Sequence, residues 1–148
     1  MSPEFDILLI EDNQADVTLT LRAISEEIKT DRVRVARDGE EALDFLLRRG
    51  SYSGQPSIPR LKLILLDLKL GKVSGLEVLA EMKNDPRSKI IPIVVLSSSK
   101  QESDVLRSYE LGANSYMQKP VDFDEFCHLI RRVAGYWLQL NQAPFLPK

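Results

Sequence analysis

The sequence predicts an α/β fold: one domain over residues 1–148, built on a doubly wound, five-stranded parallel sheet with a core of about 5–140 and a tail at 141–148. Three observations carry this. Short aliphatic runs alternate with stretches of helical periodicity, five times over. One run, Leu61-Lys62-Leu63-Ile64-Leu65-Leu66-Asp67-Leu68, is apolar enough to be a central strand buried on both faces. It ends in a carboxylate, and so does the first run, Phe5 to Ile10, which is followed by Glu11 and Asp12.

Composition removes several functions. A net charge of -2 offers no field for a polyanion, so nucleic acid is excluded as the main ligand. The single Cys127 excludes an internal disulfide and a cysteine metal site. No apolar run approaches the ~18 residues of a membrane span. Met1-Ser2-Pro3-Glu4 is too short and acidic to begin a signal peptide, so the expected location is cytoplasmic.

In order, Ile7 to Ile10 is the first strand, and Asp16 to Ile28 a helix with Val17, Leu21, Ile24 and Ile28 on one stripe. Arg32 to Ala36 alternates, which predicts an edge strand. Asp38-Gly39 reads as a turn only, and helix two as Glu40 to Arg49. Residues 50–60 hold Gly50, Gly54, Pro56 and Pro59, a loop longer than the usual ~2–6 residues and read as a tolerated insertion. Helix three is expected over Leu76 to Asn84, ending before Pro86. Ile90 to Leu96 is strand four, Glu102 to Leu111 helix four with Gly112 as its C-cap, and Ser115 to Gln118 strand five. Asp122 with Glu125 resembles a capping box, and Val121 with Phe126 occupies the positions of a hydrophobic staple at the start of helix five. Helix five continues through Leu129, Val133, Trp137 and Leu140, its apolar stripe ending in Trp137.

In such a sheet ligands bind beyond the carboxyl ends of the strands. Glu11, Asp12, Asp67, Ser97 and Lys119 all fall there. Two carboxylates 4 Å apart repel by ~4 kcal/mol at an effective dielectric of ~20, so a cation is required. Oxygen ligands in an open site suit Mg²⁺, which also accepts a phosphate oxygen. Lys119 adds a second cation and Ser97 a hydroxyl. The combination fits a phosphoryl group on or near a carboxylate, with an aspartyl phosphate as product.

With Ile10-Glu11-Asp12-Asn13, Leu65-Leu66-Asp67-Leu68, Val94-Val95-Leu96-Ser97-Ser98 and Tyr116-Met117-Gln118-Lys119-Pro120 in this order, the chain resembles a two-component response-regulator receiver domain of the single-domain, chemotaxis-regulator type. The resemblance implies a flavodoxin-like sheet of order 2-1-3-4-5. It implies Asp67 as phosphoryl acceptor and Mg²⁺ held by Asp12, Asp67 and the Lys69 carbonyl, with Glu11 assisting through water. Lys119 would contact the phosphoryl group. Ser97 would be the switch hydroxyl and Tyr116 the aromatic that follows it, remodelling the surface of helix four, strand five and helix five. It also implies a cis peptide between Lys119 and Pro120. Three positions depart from the usual pattern without removing a catalytic group: Glu11 for Asp, Ser98 for Ala, and Gly71 where a proline is common.

A narrower likeness, to regulators paired with bacterial phytochrome kinases, rests on Asp12-Asn13-Gln14-Ala15-Asp16-Val17, the long loop, Ser108-Tyr109-Glu110-Leu111-Gly112, Lys119-Pro120-Val121-Asp122-Phe123 and Trp137. The expected partners are a sensor histidine kinase, a bacteriophytochrome by this likeness, and a histidine phosphotransfer protein if the signal leaves by relay. With no output domain expected after helix five, the alternative exit is protein contact. Tyr136, Trp137, Leu138 and Leu140, followed by Ala143-Pro144-Phe145-Leu146-Pro147, predict a homodimer through helix five and the tail, the alternative being that Phe145 and Leu146 fold back on their own chain or are disordered. The competing function is a Mg²⁺-dependent phosphohydrolase with an aspartyl-phosphate intermediate, although its two alternating acids are replaced here by adjacent Glu11-Asp12. A nucleotide or flavin binder lacks the glycine-rich loop after strand one. Lone His128 has no matching acid, and Cys127 reads as a small buried apolar residue.

Overall fold

Four consecutive aliphatic residues, Ile7–Ile10, form strand β1, and all four side chains are buried. This is the pattern of a strand covered on both faces. Strands β2 (Val33–Ala36), β3 (Leu63–Leu66), β4 (Ile93–Ser97) and β5 (Ser115–Gln118) join it in the order β2-β1-β3-β4-β5, every pair parallel. The computed structural model describes residues 4–55 and 57–145. Helices α1 (Gln14–Ile24), α2 (Gly39–Leu47), α3 (Gly75–Asn84), α4 (Glu102–Glu110) and α5 (Phe123–Gly135) connect the strands.

The period of two along the strands sorts the core into two halves. Leu8, Ile10, Ile64, Leu66, Ile93 and Val95 face α2 and α3, where they meet Ala42, Leu46, Leu79 and Met82. Ile7, Leu9, Leu63, Leu65, Val94 and Leu96 face α1 and α5, where they meet Val17, Ile24, Phe126 and Ile130. The sheet is thereby sealed on both faces.

Local signals account for the ends of the elements. The side chains of Asn13, Asp38, Ser74 and Asp122 each accept a backbone N–H three residues on, capping α1, α2, α3 and α5. Asp38 is therefore more than a turn residue. The first helix starts two residues earlier than expected, because Asn13 is its cap, and stops at Ile24, where Ser25 caps it; Ile28 still packs on the core. Strand β4 begins at Ile93 instead of Ile90, since Pro92 has no N–H to give; Ile90 stands half exposed. Gly112 adopts φ +108°, the left-handed region that suits a glycine after a helix.

Three expectations change. Val121 is fully exposed while Phe126 is buried against the sheet, so no staple forms; Val121 projects to solvent beside half-exposed Phe123. Among the described residues there is no cis peptide bond, so Lys119–Pro120 is trans, the form X-Pro favours by about 0.5–1 kcal/mol. Lys119 is positioned without it, its backbone N–H reaching the Ser97 carbonyl at 2.8 Å. After Gly135 the helix widens into a π-type turn over Tyr136–Leu140, closed by Asn141 N–H to Tyr136 O at 2.7 Å.

The cluster at this end divides as its stripe requires. Trp137 and Leu138 pack on the α1/α5 half of the core, while Tyr136 and Leu140 are 47% and 78% exposed. Phe145 folds back against its own chain, under the Arg60 guanidinium at 5.8 Å. Leu146 and Pro147 of the expected arm lie outside the described residues, as does Pro56 of the loop. That loop is anchored by Tyr52, whose ring meets Phe45 edge-on at 5.4 Å and whose hydroxyl takes a hydrogen bond from Arg34.

Candidate functional site

Sheet register brings the site together. Ile10 pairs with Leu66, and the ladder runs one residue further, with Asp67 N–H bonded to Ile10 O at 3.0 Å and Glu11 N–H to Ala36 O at 3.0 Å. Glu11 and Asp67 therefore leave adjacent strands side by side. On the other flank Ser97 pairs with Gln118, so Lys119 follows one residue beyond it.

Glu11 and Asp67 are buried, at 3% and 8% exposure, while Asp12 is open to solvent. Their carboxylate oxygens and that of Asp12 lie within 4.8 Å of one another. This donor set is all oxygen, partly open, and carries more negative charge than one lysine offsets, which is what a hard divalent cation requires. Glu11, Asp12 and Asp67 thus fit a hard divalent cation.

Lys119 crosses the sheet edge to meet these acids. Its Nζ donates to Glu11 Oε1 at 2.6 Å, Asp16 Oδ2 at 2.9 Å and Asp67 Oδ2 at 3.2 Å, using all three N–H groups. Asp67 Oδ1 accepts from the Lys69 N–H at 3.2 Å. Burial pulls the ammonium down, but the bonds to Glu11 and Asp16 and the neighbouring Asp67 charge more than reverse this, and Lys119 is held above the usual lysine value. Burial, then the contact and charge of Asp67, push the Glu11 carboxyl up against the opposing pull of Lys119. The 2.6 Å contact to the ammonium is that of a charge-assisted pair.

Ser97 is fully buried, and its Oγ accepts the Ser99 N–H at 3.1 Å. Tyr116 sits opposite Val95 and is half-buried; its hydroxyl donates to the Ser99 carbonyl at 3.1 Å. The backbone between the two expected switch residues is thus bound from both sides. Gly75 keeps the turn after Asp67 tight: its N–H bonds to Leu68 O at 3.0 Å, and a Cβ there would run into the Asp67 carbonyl and Leu68.

Glu11, Asp12, Asp67, Lys69, Ser97, Tyr116 and Lys119 all lie at or beside this edge, and His128 and Cys127, which are not expected at the site, do not. His128 is exposed on α5 and Cys127 is buried in the α1/α5 half of the core. Asp16 was missed. In sequence it is an acid in a first helical turn, where acids are common for their effect on the helix dipole. A groove of about 750 Å³ lies at the opposite end of the sheet, between the 50–60 loop and the tail, lined by Phe45, Arg48, Tyr52 and Phe145 among others; it holds none of these groups.

A parallel sheet of order 2-1-3-4-5 with an acid–lysine cluster at its carboxyl edge defines a receiver-type α/β protein, and the chain belongs to the response regulator receiver domain family, which matches residues 7–131. Among individual proteins it is similar to the probable methanogenesis regulatory protein FilR2 of Methanothrix harundinacea, 41% identical over 95% of this chain and 88% of that one. Response regulator Rcp1 of Synechocystis sp. is 38% identical over 97% of this chain and 95% of its own; its Mn²⁺-bound crystal structure superposes with a TM-score of 0.85. The crystal structure of the phosphorylated cyanobacterial phytochrome response regulator RcpA is 39% identical, covers 97% of this chain and 100% of that one, and gives a TM-score of 0.87.

Proposed function

We propose that this protein is a phosphoryl-accepting signalling switch, with Asp67 as the acceptor. The observation that carries the reading is the shared ammonium: Lys119 binds Asp67 Oδ2 at 3.2 Å beside two further acids suited to a divalent cation. The donor is a partner sensor histidine kinase, a bacteriophytochrome by the likeness to RcpA. Asp67 attacks the phosphorus, the bond from phosphorus to the donor nitrogen breaks, and its electron pair returns to the imidazole. Glu11, Asp12, Asp67 and the Lys69 carbonyl would hold Mg²⁺, which when bound neutralises charge on the phosphoryl oxygens. Lys119 aims a second cation at the same oxygens. Beyond that transfer, self-phosphorylation from a small-molecule donor and autodephosphorylation are the only chemistry assigned; turnover of phosphate esters belongs to the rival phosphohydrolase.

In the switch itself the Ser97 hydroxyl turns to the new oxygens, which frees the 97–99 backbone that Tyr116 grips. The changed surface of α4, β5 and α5 then signals in the cytoplasm, by protein contact or by relay to a histidine phosphotransfer protein. Acetyl phosphate with Mg²⁺ should label the wild-type chain once, at Asp67, and shift the NMR signals of Ser97 and Tyr116 together. Asp67→Asn should fold and stay unlabelled; full labelling of that variant would remove the assignment.

A homodimer through α5 and the tail belongs to the same reading. Exposed Tyr136 and Leu140 support it, and the groove that takes Phe145 could receive the tail of a second copy instead. Sedimentation should show a dimer for the full chain. If that chain and one ending at Leu140 both run as monomers, the dimer is lost; if both are equal dimers, α5 alone is responsible.

A further inference from the structure

We propose that Asp16 is a positioning residue for phosphoryl transfer: it is the permanent tether that keeps the Lys119 ammonium aimed at Asp67. The proposal rests on Asp67 being the acceptor and adds a residue that the acceptor site does not itself require.

Three acids compete for one ammonium. Of the three acids that Lys119 touches, two have another claimant. Glu11 and Asp67 belong, with Asp12, to the cluster whose oxygens converge within 4.8 Å on a place for a divalent cation. Asp67 is also the oxygen that would form the bond to phosphorus. Asp16 has neither claim. It is outside the converging cluster, and its carboxylate accepts from Lys119 Nζ at 2.9 Å. When a cation and a phosphoryl group draw Glu11 and Asp67 away, Asp16 is the acceptor that remains.

The start of α1 releases Asp16 for this task. Asn13 is the N-cap and Asp16 stands three residues on, where the acid of a capping box would turn back to bond the cap's own N–H. Here that N–H goes to Glu11 Oε2 at 3.3 Å instead. The other half of the cap is made in the ordinary way, with Asp16 N–H donating to Asn13 Oδ1 at 3.0 Å. Glu11 does the capping, so the Asp16 carboxylate is free to leave the helix end and meet a lysine 103 positions away.

A lysine is a flexible point charge on four methylenes, and ordering it is costly unless something fixes its head. A tether set before the donor arrives lowers that cost at the moment of reaction. The step itself is a displacement. An Asp67 oxygen bonds to the phosphorus of acetyl phosphate, the bond from phosphorus to the acetyl oxygen breaks, and acetate departs with the electron pair. Lys119 moves no proton; it must only be in place.

The rival view is electrostatic: Asp16 is one more negative charge that repels an anionic donor, and its removal should speed labelling. The two views predict opposite signs. The test compares the full-length wild type with Asp16→Ala, Asp16→Asn and Asp16→Glu, using acetyl phosphate and Mg²⁺. Asp16→Ala should label about tenfold more slowly, within the range that a displaced catalytic group costs, and Asp16→Glu should recover most of the rate. In the absence of metal and donor, Lys119 of Asp16→Ala should also react several-fold faster with an amine acylating reagent, read by mass spectrometry, a change that loss of a helix-end charge alone would not cause. Labelling of Asp16→Ala at the wild-type rate or faster, or unchanged Lys119 reactivity, overturns the proposal. Should Asp16→Ala not fold, the isosteric Asp16→Asn carries the same two readouts. Asp67→Asn separates the layers: its labelling would remove the acceptor assignment, whereas an unlabelled Asp67→Asn beside an unaffected Asp16→Ala would leave that assignment standing and remove only the tether.

Discussion

Two half-buried lysines bind opposite ends of the sheet, and they do different work. Lys83, on α3, reaches the amino ends of β4 and β5, donating to Lys89 O at 2.9 Å, Ile91 O at 2.9 Å and Asn114 Oδ1 at 3.3 Å. Lys119 gives its three N–H groups at the carboxyl edge to Glu11, Asp16 and Asp67. Each fills its donor capacity. The acceptors differ: Lys83 meets uncharged oxygens, Lys119 meets carboxylates. Burial accordingly drives Lys83 down, while the carboxylates override burial and raise Lys119. Carbonyls hold a lysine permanently because nothing else competes for them. In the proposed transfer Glu11 and Asp67 hold one only until a metal or a phosphoryl group bids for their oxygens, with Asp16 as the tether that remains, and on that reading one lysine is a structural bolt and the other a working part.

The largest effect should come from Lys119→Met. On the proposed reading it removes the cation that would face the phosphoryl oxygens, so labelling by acetyl phosphate should fall about 100-fold, the scale of losing one preorganised donor. It also leaves buried Glu11 without its partner, and urea unfolding of the metal-free protein should show a loss of about 3 kcal/mol. A variant that labels normally would erase the contrast between the two lysines.

Lys83→Met should do the reverse. Labelling should stay within twofold of wild type, and stability should drop by about 2 kcal/mol as acceptors lose their donor. Part of the site is insured, since Asn114 Oδ1 also accepts the Ile93 N–H at 2.8 Å. The smallest effect lies in the pH dependence. A base whose pKa is lowered on folding is strained when charged, so the strain lifts as pH climbs towards the unfolded value of ~10.4. The stability gap between wild type and Lys83→Met should therefore be wider at pH 10 than at pH 7.5, measured by urea midpoints. Lys119 has the opposite sign: its contribution is complete below ~10.4 and is lost only as pH rises through its higher folded value. A gap for Lys83→Met that narrows with pH would mean the two lysines are alike after all.

Much of this arrangement was readable in the chain. The runs Ile7 to Ile10 and Leu63 to Leu66 are strands as their apolarity requires, and the residue types after them converge as the parallel order demands. Caps such as Asp122 with Glu125 were equally plain. What was not readable concerns side-chain direction. Val121 and Phe126 have the spacing of a staple, yet one is exposed and the other buried, because the sheet offers Phe126 a better surface than Val121 can. The N-terminal half of the 90–96 run looks like strand, but Pro92 and the bend before it leave only Ile93 onward in the ladder. Asp16 looked like a helix-end acid because its partner is brought near only by strands β1, β3, β4 and β5 lying in that order.

The sequence by itself determined the elements, their order, the two-sided burial of the central strands and the acids, hydroxyl and lysine at the strand ends. These depend on periodicity and on backbone preferences that act over a few residues. Only the tertiary structure decided that one ammonium is divided among Glu11, Asp16 and Asp67, that Glu11 takes over the capping of Asn13, that Phe145 lies on its own chain, and that the Lys119–Pro120 bond is trans. Each of these is a choice among partners that the local sequence cannot see, made where charges compete at short range and the fold alone sets which of them are within reach.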